Sequence, residues 1–199
     1  MELMRLTVGM YDEHCYVLVN DEGEALIFDP GGKPDEIITR LEEEGIKPVA
    51  VLLTHTHHDH IGALDEVRDH FNIELYMSPI EEELLLEAGK RAPEHYLKGG
   101  QVYNVHGFEF RVEDIPGHSI GHIVFIFDDQ QFSISGDVIF RNSVGRSDLP
   151  GGNHEQLMAG IYKYLMVLPD DFMFFPGHGE MTTVAKERAT NPFLNGATR

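Results

Sequence analysis

The segment Thr54-His55-Thr56-His57-His58-Asp59-His60 places four of the chain's 12 histidines within six residues. Imidazole nitrogen and carboxylate oxygen are ligands for borderline divalent cations, and such a cluster lacks the apolar atoms that make a good packing element. Three further candidates lie in glycine-bearing turns: His118 in Pro116-Gly117-His118, Asp137 in Ser135-Gly136-Asp137, and His178 in Pro176-Gly177-His178-Gly179. The donor set is then His55, His57, Asp59, His60, His118, Asp137 and His178, too many for one tetrahedral zinc. Two ions fit if one carboxylate is shared. With Asp137 as the bridge, His55, His57 and His118 complete one site, and Asp59, His60 and His178 complete the other. No thiolate takes part, so a closed cysteine-type structural site is excluded. Two divalent ions per chain are expected, Zn2+ first, with Fe or Mn as alternatives.

Two such ions hold a shared hydroxide at neutral pH, because a bound water's pKa falls from about 15.7 toward about 7. Asp59, as a ligand of the second ion, orients that nucleophile. A thioester suits this machinery, since its thiolate leaves with a pKa near ~8.5 and needs no proton donor. Cys15 has no basic neighbour except His14 and reads as a strand residue buried in the core rather than a nucleophile. Arg141 and Arg146 follow Asp137 and can meet an anionic substrate, although Arg146 within Gly-Arg-Ser-Asp reads first as a salt bridge to Asp148 that holds its loop. Lys90, Arg91 and Lys98 form a basic stretch that either attracts a carboxylate or is simply solvated. His122 reads as a core histidine or a support behind the ligands. His58, His70, His95, His106 and His154 are left to surface or core.

These donors need a frame. Short apolar runs bounded by Gly, Pro, Asp or Asn predict strands at Leu3–Met10, Tyr16–Val19, Ala25–Phe28, Val49–Leu53, Ile73–Met77, Val102–Val105, Phe108–Val112, Ile123–Phe127, Phe132–Ile134 and Phe172–Phe175. Helical spacing joins Ile37, Ile38 and Leu41 up to Gly45, then Ile61, Leu64, Val67 and Phe71, then Leu157, Ile161, Tyr164, Leu165 and Leu168. Shorter helices are expected at Glu81–Ala88 and Thr183–Thr190, and a long surface loop at Gly89–Gly100. Each candidate donor follows a strand, so loops leaving one sheet edge can bring them together.

The composition narrows the function classes. Lys+Arg 15 against Asp+Glu 34 gives a formal charge of −19, which repels nucleic acid and anionic lipid. The expected partner is therefore a small-molecule thioester, with no nucleic acid and no membrane. No run of apolar residues has the length of a membrane span, and acidic residues interrupt the N-terminal apolar patches. One cysteine excludes an internal disulfide and suggests a reducing, cytoplasmic location. Residues 1–199 read as a single domain, monomeric or homodimeric.

Thr-His-x-His-x-Asp-His followed by Gly-His, Gly-Asp and Pro-Gly-His resembles the metallo-β-lactamase-fold hydrolases. That resemblance implies an αβ/βα sandwich of two mixed β-sheets with helices on the outer faces. Ser135–Phe140, Gly145–Gly152, Pro176–Gly179 with Thr182-Thr183, and Asn191–Leu194 are similar to the short glyoxalase II-like (hydroxyacylglutathione hydrolase-like) branch. In that branch the aspartate of Asp29-Pro30-Gly31-Gly32 supports the metal site from behind its ligands, and the substrates are acyl-glutathione thioesters such as S-lactoylglutathione. His14 departs from the Asn common there, and the C-terminal helical domain of glyoxalase II is expected to be missing. Rival readings are a mononuclear iron persulfide dioxygenase, a lactonase or phosphodiesterase of the same fold, and a non-catalytic metal-binding module.

Overall fold

The computed structural model describes residues 1–195, and the chain divides into two compact units. The first is Met1–Leu97 with Asn104–Phe108, and the second is Lys98–Tyr103 with the chain from Glu109 onward.

The first unit runs β1 (Glu2–Val8), β2 (Glu13–Val19), β3 (Glu24–Phe28), α1 (Pro34–Glu43), β4 (Lys47–Leu52), α2 (His58–Ile61), α3 (Leu64–Phe71), β5 (Glu74–Met77), a 3-10 turn (Pro79–Glu81), α4 (Glu82–Glu87) and β6 (His95–Tyr96). The strands form one sheet in the order of their numbers. β1, β2 and β3 pair antiparallel, whereas β3, β4, β5 and β6 pair in parallel. Parallel neighbours send their C-terminal ends to the same edge, and ligand-binding loops collect there in open α/β sheets. Ile37 and Leu41 of α1 and Leu64 and Val67 of α3 are fully buried in one cluster with Val17, Ala25, Ile27, Val51 and Leu75 of the strands. Burying each such side chain contributes about 1.5–3 kcal/mol, which is what holds the helices on the sheet.

Local chemistry explains the boundaries. Pro34 starts α1, Asp35 and Glu36 face its positive end, and Gly45 ends it at φ +67. The stripe Ile61–Phe71 is not one helix: Gly62 and Ala63 separate a single turn, α2, from α3. The 89–100 segment is not wholly loop either. β6 pairs with β5, Arg91 reaches Asp65 and Asp69, and Lys90 donates to the Gly62 carbonyl at 2.9 Å.

Further strands are β7 (Gln101–Val105), β8 (Phe108–Asp114), β9 (Ile123–Phe127), β10 (Phe132–Gly136), β11 (Ile139–Phe140), β12 (Ser143–Val144), β13 (Met173–Pro176) and β14 (Thr182–Thr183). Their sheet has the order β14-β13-β10-β9-β8-β7, with β11 and β12 as a separate hairpin that the sequence pattern did not reveal. It is mixed: β10 and β13 are parallel, while β9 is antiparallel to both β8 and β10. α5 (His154–Gly160) starts under an Asn153 cap whose side chain accepts the Gln156 N–H, then continues as a π turn at Ile161–Leu165. α6 (Val184–Thr190) is capped by Thr183. Leu157, Ile161, Leu165 and Val184 are buried with Val124, Ile126, Phe172 and Phe174. Both sheets are mixed and carry helices, as expected. Among the described residues no helix is long and apolar enough to cross a membrane.

Gly31, just after β3, has no room for a side chain: a Cβ there meets the Asp59 carbonyl oxygen at 1.6 Å and a Glu13 carboxylate oxygen at 2.4 Å. Gly45 has open space around its Cβ position and only the positive φ to defend. Gly31→Ala is expected to cost at least the ~1–3 kcal/mol of overpacking, and Gly45→Ala about 1 kcal/mol. Urea unfolding of both variants checks the order, which reverses if the turn below Asp59 yields easily.

Candidate metal centre

In the first unit the C-terminal ends of β3, β4 and β5 carry three consecutive pieces of the site. Asp29 follows β3, adopts a left-handed φ of +49, and is buried. Its Oδ1 accepts the Thr54 N–H at 2.8 Å, and its Oδ2 accepts the Thr54 hydroxyl at 2.6 Å and His60 Nδ1–H at 2.9 Å. Because the Thr54 proton goes to Asp29, the 3.0 Å contact between Thr54 Oγ1 and His55 Nδ1 requires His55 to donate. His55 and His60 are therefore both Nδ1–H tautomers, and Nε2 of each carries the lone pair a cation binds.

His57 Nδ1 lies 3.0 Å from His55 Nε2. Asp59 sits in the single turn α2, half-buried, with His60 fully buried behind it. Asp29, His55 and His60 present ligand atoms within 4.8 Å of one another. Asp29 already accepts three hydrogen bonds, so its part is to fix the two rings rather than to bind an ion itself. Thr56 is held in the same way as Thr54, by Glu81 at the end of the 3-10 turn after β5. Sequence reasoning missed Glu81, which reads only as the first residue of an acidic helical run.

In the second unit His118 lies between β8 and β9, Asp137 follows β10, and His178 follows β13; these strand ends share one sheet edge. His118 Nδ1–H donates to the Arg146 carbonyl at 2.8 Å, again leaving Nε2 as the lone-pair nitrogen. Asp137 Oδ2 stands 3.4 Å from His118 Nε2 and 3.6 Å from His178 Nε2, so a single carboxylate oxygen faces two imidazoles. His122, fully buried immediately before β9, accepts the Asp137 backbone N–H on Nε2 at 3.1 Å. That bond fixes the Asp137 backbone and takes His122 Nε2 out of any ligand role.

Arg141 and Arg146, the expected anion contacts, are each engaged by an acid. Arg146 makes a two-pronged bond to Asp148, at 2.8 Å on both prongs, and this holds the exposed Asp148 carboxyl down to about 2. Arg141 pairs with Glu180, two residues beyond His178. Cys15 is fully buried, and burial, with Glu13 and Asp29 nearby, pushes its thiol well above the ordinary value. It is no nucleophile.

The donor chemistry fits divalent cations. Three histidines have Nδ1–H committed to an acceptor, and their Nε2 atoms offer lone pairs. Asp29→Asn puts an amide where His60 Nδ1–H needs an acceptor. It is expected to weaken metal binding by about 10–100-fold, the range for loss of such supports, measured by chelator competition; unchanged affinity sinks the tautomer argument.

The model of the Metallo-beta-lactamase superfamily matches residues 9–178. Among curated proteins, the hydroxyacylglutathione hydrolase GloC of Haemophilus influenzae is 33% identical, the alignment spanning 98% of this chain and 99% of that protein. Among solved structures, the BLEG-1 B3 metallo-beta-lactamase is 37% identical with a TM-score of 0.93, covering 98% of this chain and all of its own. TTHA1623, solved in a di-iron-bound form, is 33% identical with a TM-score of 0.83, over 96% of this chain and all of its own. With donors, strand-edge placement and whole-length similarity in agreement, this chain belongs to the metallo-β-lactamase superfamily and has its fold.

Proposed function

We propose that this metal-dependent hydrolase of the superfamily is dinuclear and cleaves acyl thioesters, with S-lactoylglutathione as the first candidate substrate. The observation that carries the dinuclear part is the single Asp137 oxygen facing two imidazole nitrogens, the arrangement a bridging carboxylate needs. In this reading His55, His57, His118 and Asp137 hold one ion, and Asp59, His60, His178 and Asp137 hold the other. The relative GloC, named a hydroxyacylglutathione hydrolase, supports the substrate class, and the di-iron form of TTHA1623 supports two ions. Zinc is the first candidate metal and iron the second.

Bound there, two divalent ions supply Lewis acidity and acidify water toward a pKa of about 7. The chain's own residues set the conditions. As metal ligands the imidazoles would bring no charge, so the donor set would set only the two negative charges of Asp59 and Asp137 against the four positive ones of two divalent ions. A site so loaded would attract a carbonyl oxygen or a substrate carboxylate to a chain of net charge −19. Asp29, Thr54 and the Arg146 carbonyl keep the rings from turning, so the donors do not reorganise during the reaction. Asp59 sits on a backbone turn that Gly31 allows to approach closely, which fixes its carboxylate relative to His60. The departing thiolate needs no acid from the protein.

Elemental analysis of protein purified without chelator is expected to give two ions per chain, and Asp137→Ala fewer. Asp59→Asn and His178→Ala are each expected to lower kcat for S-lactoylglutathione by several orders of magnitude with the fold retained. A β-lactam and glutathione persulfide complete the substrate panel. Turnover of the lactam alone assigns the chain to lactamase chemistry. One iron per chain with oxygen uptake on the persulfide assigns it to the dioxygenase reading.

A further inference from the structure

Thr56 stands between His55 and His57, and both its N–H and its hydroxyl are engaged. Its N–H donates to Glu81 Oε2 at 3.1 Å, and its hydroxyl donates to the same oxygen. Glu81 is 1% exposed, and its side chain does not cap α4, the helix it precedes. A buried carboxylate is costly unless hydrogen-bonded, and capping does not account for this one. Its place in the topology does. β4 has β3 and β5 as parallel neighbours, so the loop after β4 leaves the sheet between the loops after β3 and β5. Asp29 comes from the first of these and grips Thr54; Glu81 comes from the second and grips Thr56. The two threonines thus tie the segment that carries His55 and His57 to the loops on either side of it.

The two grips differ in reach. Asp29 also binds His60 and, through Thr54, fixes His55, and those rings belong to different ions in the proposed assignment. The two hydrogen bonds of Glu81 go instead to the backbone and hydroxyl of Thr56, immediately before His57. Resting on the two-ion reading above, we propose that Glu81 is a positioning residue that sets His57 and thereby tunes the affinity of one metal ion selectively, whereas Asp29 acts on both. Without Glu81 the segment stays tied at Thr54 but is free to pivot beyond it, and ligand placement tolerates only about 0.5 Å.

The test uses the full chain loaded with Zn2+ and titrated with a competing chelator, so that release of the two ions is resolved into two steps. Glu81→Ala is expected to weaken one step by about 10–100-fold and leave the other unchanged. The weakened step should be the one that His57→Ala abolishes. Glu81→Gln, which keeps an acceptor oxygen, should recover most of the affinity. Thr56→Val, which keeps the carboxylate and removes the hydroxyl donor, should weaken the same step to a smaller extent, and Thr56→Ser should restore it. If Glu81→Ala does not fold, the Thr56 pair carries the test. Equal weakening of both steps, or no change in either while the wild type holds two ions, overturns the selective role and leaves the dinuclear reading standing. A wild type that holds fewer than two ions overturns both.

Discussion

Two buried carboxylates gripping alternate threonines is the constraint on which the first unit is built. Histidine rings rotate freely about two side-chain bonds, and a cluster of them binds a cation well only when rotation and tautomer are settled beforehand. Asp29 settles both for His60 directly and for His55 through the Thr54 hydroxyl. That arrangement requires acids on either side of the histidine loop, which in turn requires β3, β4 and β5 to be parallel neighbours. The close packing at Gly31 follows from the same demand, because the turn carrying Asp59 must lie against the loop that carries Asp29.

The second unit solves the same problem with backbone groups. The Arg146 carbonyl orients His118, and the Asp137 N–H is taken by His122. The guanidinium of Arg146 meanwhile turns to Asp148. One residue thus serves the donor set with its main chain and the loop with its side chain. Arg141 and Arg146, the arginines nearest these donors, are both paired with acids of the chain.

The candidate donors stood out in the sequence because their types and spacing have few uses besides metal binding, and His55, His118, Asp137 and His178 lie in loops that follow runs patterned as strands. Asp29 was legible through family resemblance alone. Glu81 was not, since a glutamate heading an acidic helical run carries no local sign of burial; only the parallel register of β4 and β5 brings it to Thr56. β6 escaped for a related reason: two residues become a strand by pairing with Tyr76 and Met77. The π turn at Ile161–Leu165 keeps the apolar spacing of a helix, so the pattern could not distinguish it. The β11–β12 hairpin is four residues of strand closed by Asn142 at φ +62, too short for periodicity to register.

Glu187 is fully buried and accepts hydrogen bonds from the Asn142 backbone, the Asn191 amide and Thr182. The Asn191 amide also donates to the Ser143 carbonyl. Thr182, Glu187 and Asn191 thus brace the hairpin that follows Asp137 from further along the chain, so the conformation of that turn is tied to the docking of α6 through one buried carboxylate.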